Sequence, residues 1–329
     1  VSRLKLAVGV AISLGLLVFL LWTVDLREVW REVRQTQWGW TLLGAALAPL
    51  GLWIRARRWG YLFPPRSAPP ALVPAVMIGY MMNNILPLRA GEFVRVYVVA
   101  RRWSRGFWTV LATLVVERVL DSLAIILILG LLVLLIPVPA VLRWAAMALL
   151  AADVLAVAVL GLLAAAPRPC ERGLRRVTFR WPGLADRGVR VFQRFVDGLD
   201  GIRTPGHLLP LALWTVAVWL APAAAAWVTF RAMHLDLPWI AAWTVLAFLG
   251  VGISVPSAPG YVGVWHYAVV LALGIFDVPR PAAVGYALVF HASQILTITA
   301  SGWVFLLREH LGLAEATHVR LAEDRRPGA

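Results

Sequence analysis

The chain has 329 residues, with 31 Lys+Arg against 17 Asp+Glu and a formal net charge of +14. Hydrophobic residues make up 61% and charged residues 15%, whereas a soluble globular protein carries about a quarter of its residues charged. These values exclude a soluble enzyme, a disordered chain and a disulfide scaffold, and they point to a polytopic membrane protein.

The high isoelectric point does not mark a nucleic-acid binder, because the basic residues lie between apolar spans rather than on one folded domain. Cys170 is the only cysteine, so neither an intrachain disulfide nor a Cys-based metal site is expected, and nothing in the sequence asks for a cofactor. The 17 Trp suit membrane–water interfaces.

A bilayer-crossing helix needs about 20 mostly apolar residues. Six stretches meet this: Leu4–Val24, Trp38–Trp59, Phe107–Ile136, Val141–Ala166, His207–Phe230 and Pro281–Leu307. The first has no small-residue cleavage site after it, so it reads as a retained anchor span rather than a signal peptide. Pro70–Ala100 and Leu237–Phe276 are also apolar, but each is broken near its middle. The breaks read Asn83-Asn84-Ile85-Leu86-Pro87-Leu88-Arg89-Ala90-Gly91-Glu92 and Val255-Pro256-Ser257-Ala258-Pro259-Gly260. Proline stops a helix there. Each region is therefore expected to be a re-entrant pair of short helices, a form tolerated at membrane depth where it is buried in protein or lines a wet cavity.

If the six spans alternate and both hairpins return to their own side, 24 of the basic residues fall on one side and six on the other. The positive-inside rule then puts both termini in the cytoplasm, with the protein in the inner membrane. Asp186–Arg203 places Val189, Phe192, Phe195, Val196, Leu199 and Ile202 at helical spacing. This is expected to be an amphipathic helix lying either on anionic lipid or on the protein's own cytoplasmic face. It belongs to a cytoplasmic segment, about 168–203, and a tail at 311–329 follows the membrane domain, 1–310.

Pro87-x-x-x-Gly91 recurs as Pro256-x-x-x-Gly260, 169 residues later. With this much Pro and Gly the pattern alone means little. The same offset, however, carries Trp38 onto His207 and Phe107 onto Phe276, so span, broken hairpin and span occur twice in register. The second span runs inward and the fifth outward, which makes the repeats (about 38–136 and 207–307) inverted in topology. Inverted repeats with paired broken helices point to a transporter whose site lies near the midplane. A duplication kept only for packing is the plain alternative.

Glu117, Arg118 and Asp121 fall about 15–21 Å into the third span, at mid-membrane depth. Glu117 and Asp121 share a helix face, and Arg118 is three residues from Asp121. Such charges must look into protein or water. Two acids and one Arg leave a charge of −1, for which Arg89 or Arg95 is the expected counter-charge. Glu92 and Arg95 sit on the short helix after Pro87, and Asn83 and Asn84 offer amides before the break. In the second hairpin Ser257 can cap, while Gly260 and Gly263 let backbone come close to a ligand at a helix N-terminus that suits a phosphate. A structural ion-pair knot and a capped packing kink are the alternatives. His266, His291 and Asp153 have no role legible from sequence.

Asn84-x-x-Pro87-x-Arg89-x-Gly91-Glu92-x-x-Arg95, then Glu117-Arg118-x-x-Asp121, then Pro256-x-x-Pro259-Gly260-x-x-Gly263 resemble the lysylphosphatidylglycerol synthase transmembrane family. This is the flippase-like membrane domain found attached to aminoacyl-phospholipid synthases and as a stand-alone protein. The resemblance covers about Leu4 to Leu307. It implies movement of a phospholipid or another lipid-linked phosphate across the bilayer, along a route lined by the hairpins and the Glu-Arg-x-x-Asp face. About 20 residues follow the last span, so a stand-alone member without the aminoacyl-transferase domain is expected.

The expected function is therefore that of a flippase-like transporter for an anionic or aminoacylated phospholipid. Phosphate would sit near Arg89, Arg95 and Gly260, and Glu92, Glu117 and Asp121 would contact a cationic headgroup or carry protons. No Gly-x-x-x-x-Gly-Lys loop appears, so ATP is not the expected drive. A secondary transporter for a soluble anion, a lipid-modifying enzyme, and a non-transporting partner of such an enzyme remain alternatives. Glu117→Gln and Arg118→Ala are expected to slow transport without unfolding the protein. An oligomer is compatible with the sequence.

Overall fold

The computed structural model describes residues 3–64, 69, 71–86, 89–103, 106–137, 140–178, 182–253 and 257–309. Among these the protein is helical, with no strand. Pro87 and Pro256, which flag the two breaks, and the tail from His310 lie outside the described residues.

Helix α1 (Arg3–Trp22) turns through 90° into α2 (Leu26–Arg34). Asp25 caps α2 by accepting the Arg27 N–H at 2.8 Å. Beside an apolar stripe of Leu26, Val29, Trp30 and Val33 the helix carries five Arg and Glu residues, and Val29 is buried. The apolar residues recur at three- and four-residue spacing, which is the mark of a surface helix.

Next come α3 (Trp38–Gly60) and the first hairpin, α4 (Leu72–Ile85) and α5 (Gly91–Arg102). Leu86 is extended, at ψ 144°, as the residue before a proline prefers. Arg89 then takes a left-handed φ of 56°. A Cβ on Gly91 would stand 2.0 Å from Gly79 O, so the two arms cross where only glycine fits. Two long helices follow, α6 (Phe107–Leu135) and α7 (Ala140–Ala165).

The charged region resolves into two helices, α8 (Pro167–Val177) and α9 (Pro182–Asp197). Val189, Val196 and Leu199 are buried. Thr109 donates to Arg194 O at 2.9 Å, and Gly198 fits against Thr109 O at the start of α6. Of the two surfaces expected for this segment, the protein itself covers its apolar face.

Helix α10 (Pro205–Ala232) packs antiparallel on α3. Gln37 N–H bonds Ala232 O at one end, and His207 Nδ1 bonds Tyr61 O at the other. The seam is built from small residues. A Cβ on Gly44 would lie 3.1 Å from Thr229 Oγ1, and one on Gly51 3.4 Å from Ala221 Cβ. Small side chains let helix backbones approach in an apolar solvent. Helix α11 (Trp239–Gly252), a 3₁₀ turn (Pro259–Tyr261) and α12 (Val264–Gly274) form the second hairpin, and α13 (Arg280–Arg308) closes the fold.

Helices α6, α7, α10 and α13 are each long and apolar enough to cross a membrane, with α1–α2 as a fifth candidate if the bent pair is one span. Helix α3 is 23 residues long, but Arg55, Arg57, Arg58 and its Trp and Gly residues lower its hydropathy. Helices α4 and α11, at 14 residues each, are too short to span.

Contacts between helix ends show which ends share a side. Arg102, ending α5, pairs with Glu309 beyond α13 at 2.7 Å. Phe63 after α3 stacks edge-on with Trp103 after α5, and Trp59 of α3 donates to Thr113 near the start of α6 at 2.9 Å, so the ends of α3, α5 and α13 gather with the starts of α6 and α10. The second hairpin opens at the opposite end, where Gly285 of α13 packs on Glu32 of α2. The two hairpin tips touch. A Cβ on Gly260 would lie 3.5 Å from Asn84 O.

Candidate functional site

The charges foreseen in α6 are brought together, with two further partners, Arg55 and Arg58, from the end of the second span. Glu117 is fully buried. It pairs with Arg55 at 3.1 Å, Arg58 at 3.4 Å, Arg118 at 2.7 Å and, most closely, Arg95. Asp121 pairs with Arg55 at 2.5 Å, Arg58 at 2.6 Å and Arg118 at 3.1 Å. Glu92 joins Arg89 and Arg95 at 3.4 Å and Arg118 at 3.3 Å. Five arginines thus face three carboxylates, a formal excess of two positive charges where α6 alone offered −1.

Arg95 is held as the expected counter-charge, with its guanidinium also 4.6 Å from the Trp59 ring centre. Arg89 contacts only the rim, through Glu92. Arg55 and Arg58 come from the last turns of α3, three residues apart and so on one face. In sequence they look like the basic flank of a span. Their acids lie about 60 residues downstream, beyond the reach of any local pattern.

Burial grades this cluster. Side-chain exposure is 0% for Arg58 and Glu117, 1% for Arg95, 14% for Arg55, 30% for Arg118 and 39% for Arg89. The inner members form a fixed scaffold. The outer ones face a cavity of about 540 Å³. One part of its wall carries Arg55, Arg89, Arg118, Asp121, Asn84 and Tyr80. Another is apolar, with Leu47, Ile125, Leu149, Val218, Ile253 and Ile295. Trp219 and Trp265 also line it, and their buried indole N–H groups have no hydrogen-bond partner among the described residues. Asn84 donates to Thr299 at 3.0 Å, tying the first hairpin to α13.

The second hairpin contributes differently. Its Tyr261 and Trp265 reach the cavity wall, as does His291 of α13, whereas Ser257, Gly260 and Gly263 are not on it. Gly263, at φ 85°, presses on α1, where a Cβ would meet Ser13 O at 2.1 Å. Ser13 Oγ accepts the Ala258 N–H at 2.8 Å, so α1 caps the break. The Gly263 N–H donates to His266 Nδ1 at 3.3 Å, and His291 Nε2–H donates to Gly260 O at 2.8 Å. His266 and His291, silent in the sequence, thus satisfy backbone groups that the broken helix leaves open.

A second cavity of about 490 Å³ lies between α2, α3 and α13, with Trp30 and Trp38 among its lining residues and no charged side chain. Among the described residues no group of three His, Cys, Asp or Glu is placed to hold a metal. What the main cavity offers is a cationic, hydrogen-bonding wall next to an apolar one, which fits an amphiphile with an anionic head.

No curated protein and no solved structure matches this sequence. The model of the lysylphosphatidylglycerol synthase TM region matches residues 6–302, nearly all of the helical body. The chain therefore belongs to that family of multi-pass membrane proteins, which act with phospholipids.

Proposed function

We propose that the protein is a flippase-like transporter. It moves an anionic or aminoacylated phospholipid, or a lipid-linked phosphate, through the 540 Å³ cavity. The observation that carries this is the two-sided wall. Arg89, Arg118 and Arg55 present guanidinium forks suited to phosphate oxygens, and the excess positive charge is left for a ligand to neutralise. Asp121 stands among them, able to meet the ammonium of an aminoacyl headgroup. The apolar side supports a lipid over a soluble anion, the second reading, because a free anion gains nothing from Leu47, Ile125 and Ile295.

In this reading α1 and α3 complete six spans, and the two hairpins enter from opposite faces as inverted repeats. Supporting it, contacts recur when α3–α6 are exchanged for α10–α13: α4 with α5 and α11 with α12, α5 with α6 and α12 with α13, α4 with α13 and α11 with α6. The repeats are not equal in chemistry. The first supplies the charges, and the second supplies Trp265, Tyr261 and His291. The transporter carries out no covalent step, its termini are cytoplasmic, and it lies in the inner membrane, where a separate lipid-modifying enzyme would supply its substrate.

The test is leaflet exchange in proteoliposomes made with fluorescent phospholipids of several headgroups, followed by quenching of the outer label. Exchange above protein-free vesicles, fastest for anionic or aminoacylated heads, is expected. Folded protein that exchanges no lipid but takes up inorganic phosphate would favour the soluble-anion reading.

A further inference from the structure

Asp153 lies at the middle of α7, thirteen residues after Ala140, about 20 Å along the axis. It is 5% exposed. Its carboxyl shares a hydrogen bond with the Ser122 hydroxyl of α6, and its Oδ2 is buried with no hydrogen-bond partner among the described residues. No ion pair among them includes it.

Among the described residues the helices packed on α7 supply no free counter-charge. Helix α7 packs on α6, α8 and α11. Helix α11 has no titratable group. Those of α8 (Arg168, Cys170, Glu171, Arg172, Arg175 and Arg176) lie beyond the end of α7. On α7 itself only Arg143 is charged, ten residues away. On α6, Glu117, Arg118 and Asp121 are engaged with one another and with Arg55 and Arg58. An unpaired carboxylate at this depth is unfavourable, and taking up a proton removes the charge.

Ser122 links this group to the substrate path. It lines the main cavity and follows Asp121 in the chain. A hydroxyl both donates and accepts. It can take a proton from cavity water while its own hydrogen passes to the Asp153 carboxyl, and reverse the exchange on release.

We infer that Asp153 is a proton-binding site that loads from and unloads to the cavity through Ser122. The consequence for transport rests on the reading above: the proton gradient biases lipid movement, and the Asp153 proton is the coupling ion.

Infrared difference spectroscopy of the full chain in lipid vesicles tests the site without any transport assay. A carbonyl band from a protonated carboxylic acid is expected at neutral pH, shifting in D₂O and lost in Asp153→Asn. Asparagine still bonds Ser122, so a merely structural role would leave folding and transport alike unchanged in that variant. Ser122→Ala is expected to keep the band and slow its deuterium shift. A wild type without the band, or an Asp153→Asn variant that retains it, overturns the inference.

Proteoliposome exchange then tests the coupling. Wild-type rates are expected to change with an imposed pH gradient, and Asp153→Asn to exchange lipid without that response. An unaltered pH response in Asp153→Asn overturns the coupling role. No exchange in wild type overturns the transporter reading, and the infrared band still decides the proton site.

Discussion

Glu117 has four arginines around one fully buried carboxylate, and that geometry changes what its substitution measures. Sequence alone recommends Glu117→Gln as a clean probe of transport. In the structure it would remove the negative charge shared by Arg55, Arg58, Arg95 and Arg118 and turn one of the two acceptor oxygens into a donor facing a guanidinium. Breaking a buried pair costs about 3–5 kcal/mol, so a marked drop in the thermal midpoint of the purified protein is expected. A near-wild-type midpoint would mean that water reaches the cluster and screens it. Arg89 is the better probe. It is 39% exposed with one ion pair among the described residues, to Glu92, a contact of the kind worth about 0–1 kcal/mol. Arg89→Ala is expected to keep its midpoint and lose several-fold in lipid exchange. Unchanged exchange would remove Arg89 from the route. The acids of α6 were legible because charges inside an apolar run are conspicuous. Arg55 and Arg58 were not, because an arginine that reaches outward to headgroups and one that reaches inward to a carboxylate occupy the same place in a sequence.

At the scale of elements, the two breaks were readable because proline and glycine have few conformations to offer a helix. What fills the breaks was not. The polar residues around Gly260 suggested a ligand, and the groups that meet its backbone are Ser13, from a helix 245 residues away, and two histidines. Helix α1 is thus a cap for the second hairpin as well as an apolar segment. Gly263→Ala tests this, since its Cβ would meet Ser13 O at 2.1 Å and its φ is 85°. We expect loss of about 1–3 kcal/mol from backbone strain alone, with α1 becoming accessible to protease. Gly130→Ala in α6, where a Cβ would meet nothing within 4 Å, is the control and should lose no stability. Equal behaviour of the two variants would refute the cap. The helices α2 and α8 escaped the sequence reading for a different reason. A short amphipathic helix and a charged loop differ only in periodicity, and nine to eleven residues give that signal little length in which to show.

For the molecule as a whole, sidedness is the property the chain can report on itself. Cys170 is the only cysteine, half-buried in α8 among the arginines that orient the protein. A membrane-impermeant maleimide is expected to label it in inside-out vesicles and not in intact cells. Labelling from outside would reverse the topology and with it the direction assigned to each hairpin. The meeting of the hairpin tips at Asn84 and Gly260 has a bearing on leakage. In the proposed arrangement neither hairpin crosses the bilayer, so the two aqueous phases are separated here by the packing of α4 against the 3₁₀ turn and by the tie from Asn84 to Thr299 of α13. A membrane that stores energy in ion gradients tolerates no open pore there. The tips can part only while something else plugs the gap, and an amphiphile whose head fills the cationic pocket as its tail stays in the bilayer is shaped to be that plug. Passage and insulation would then be the same event, with the cargo serving as its own stopper.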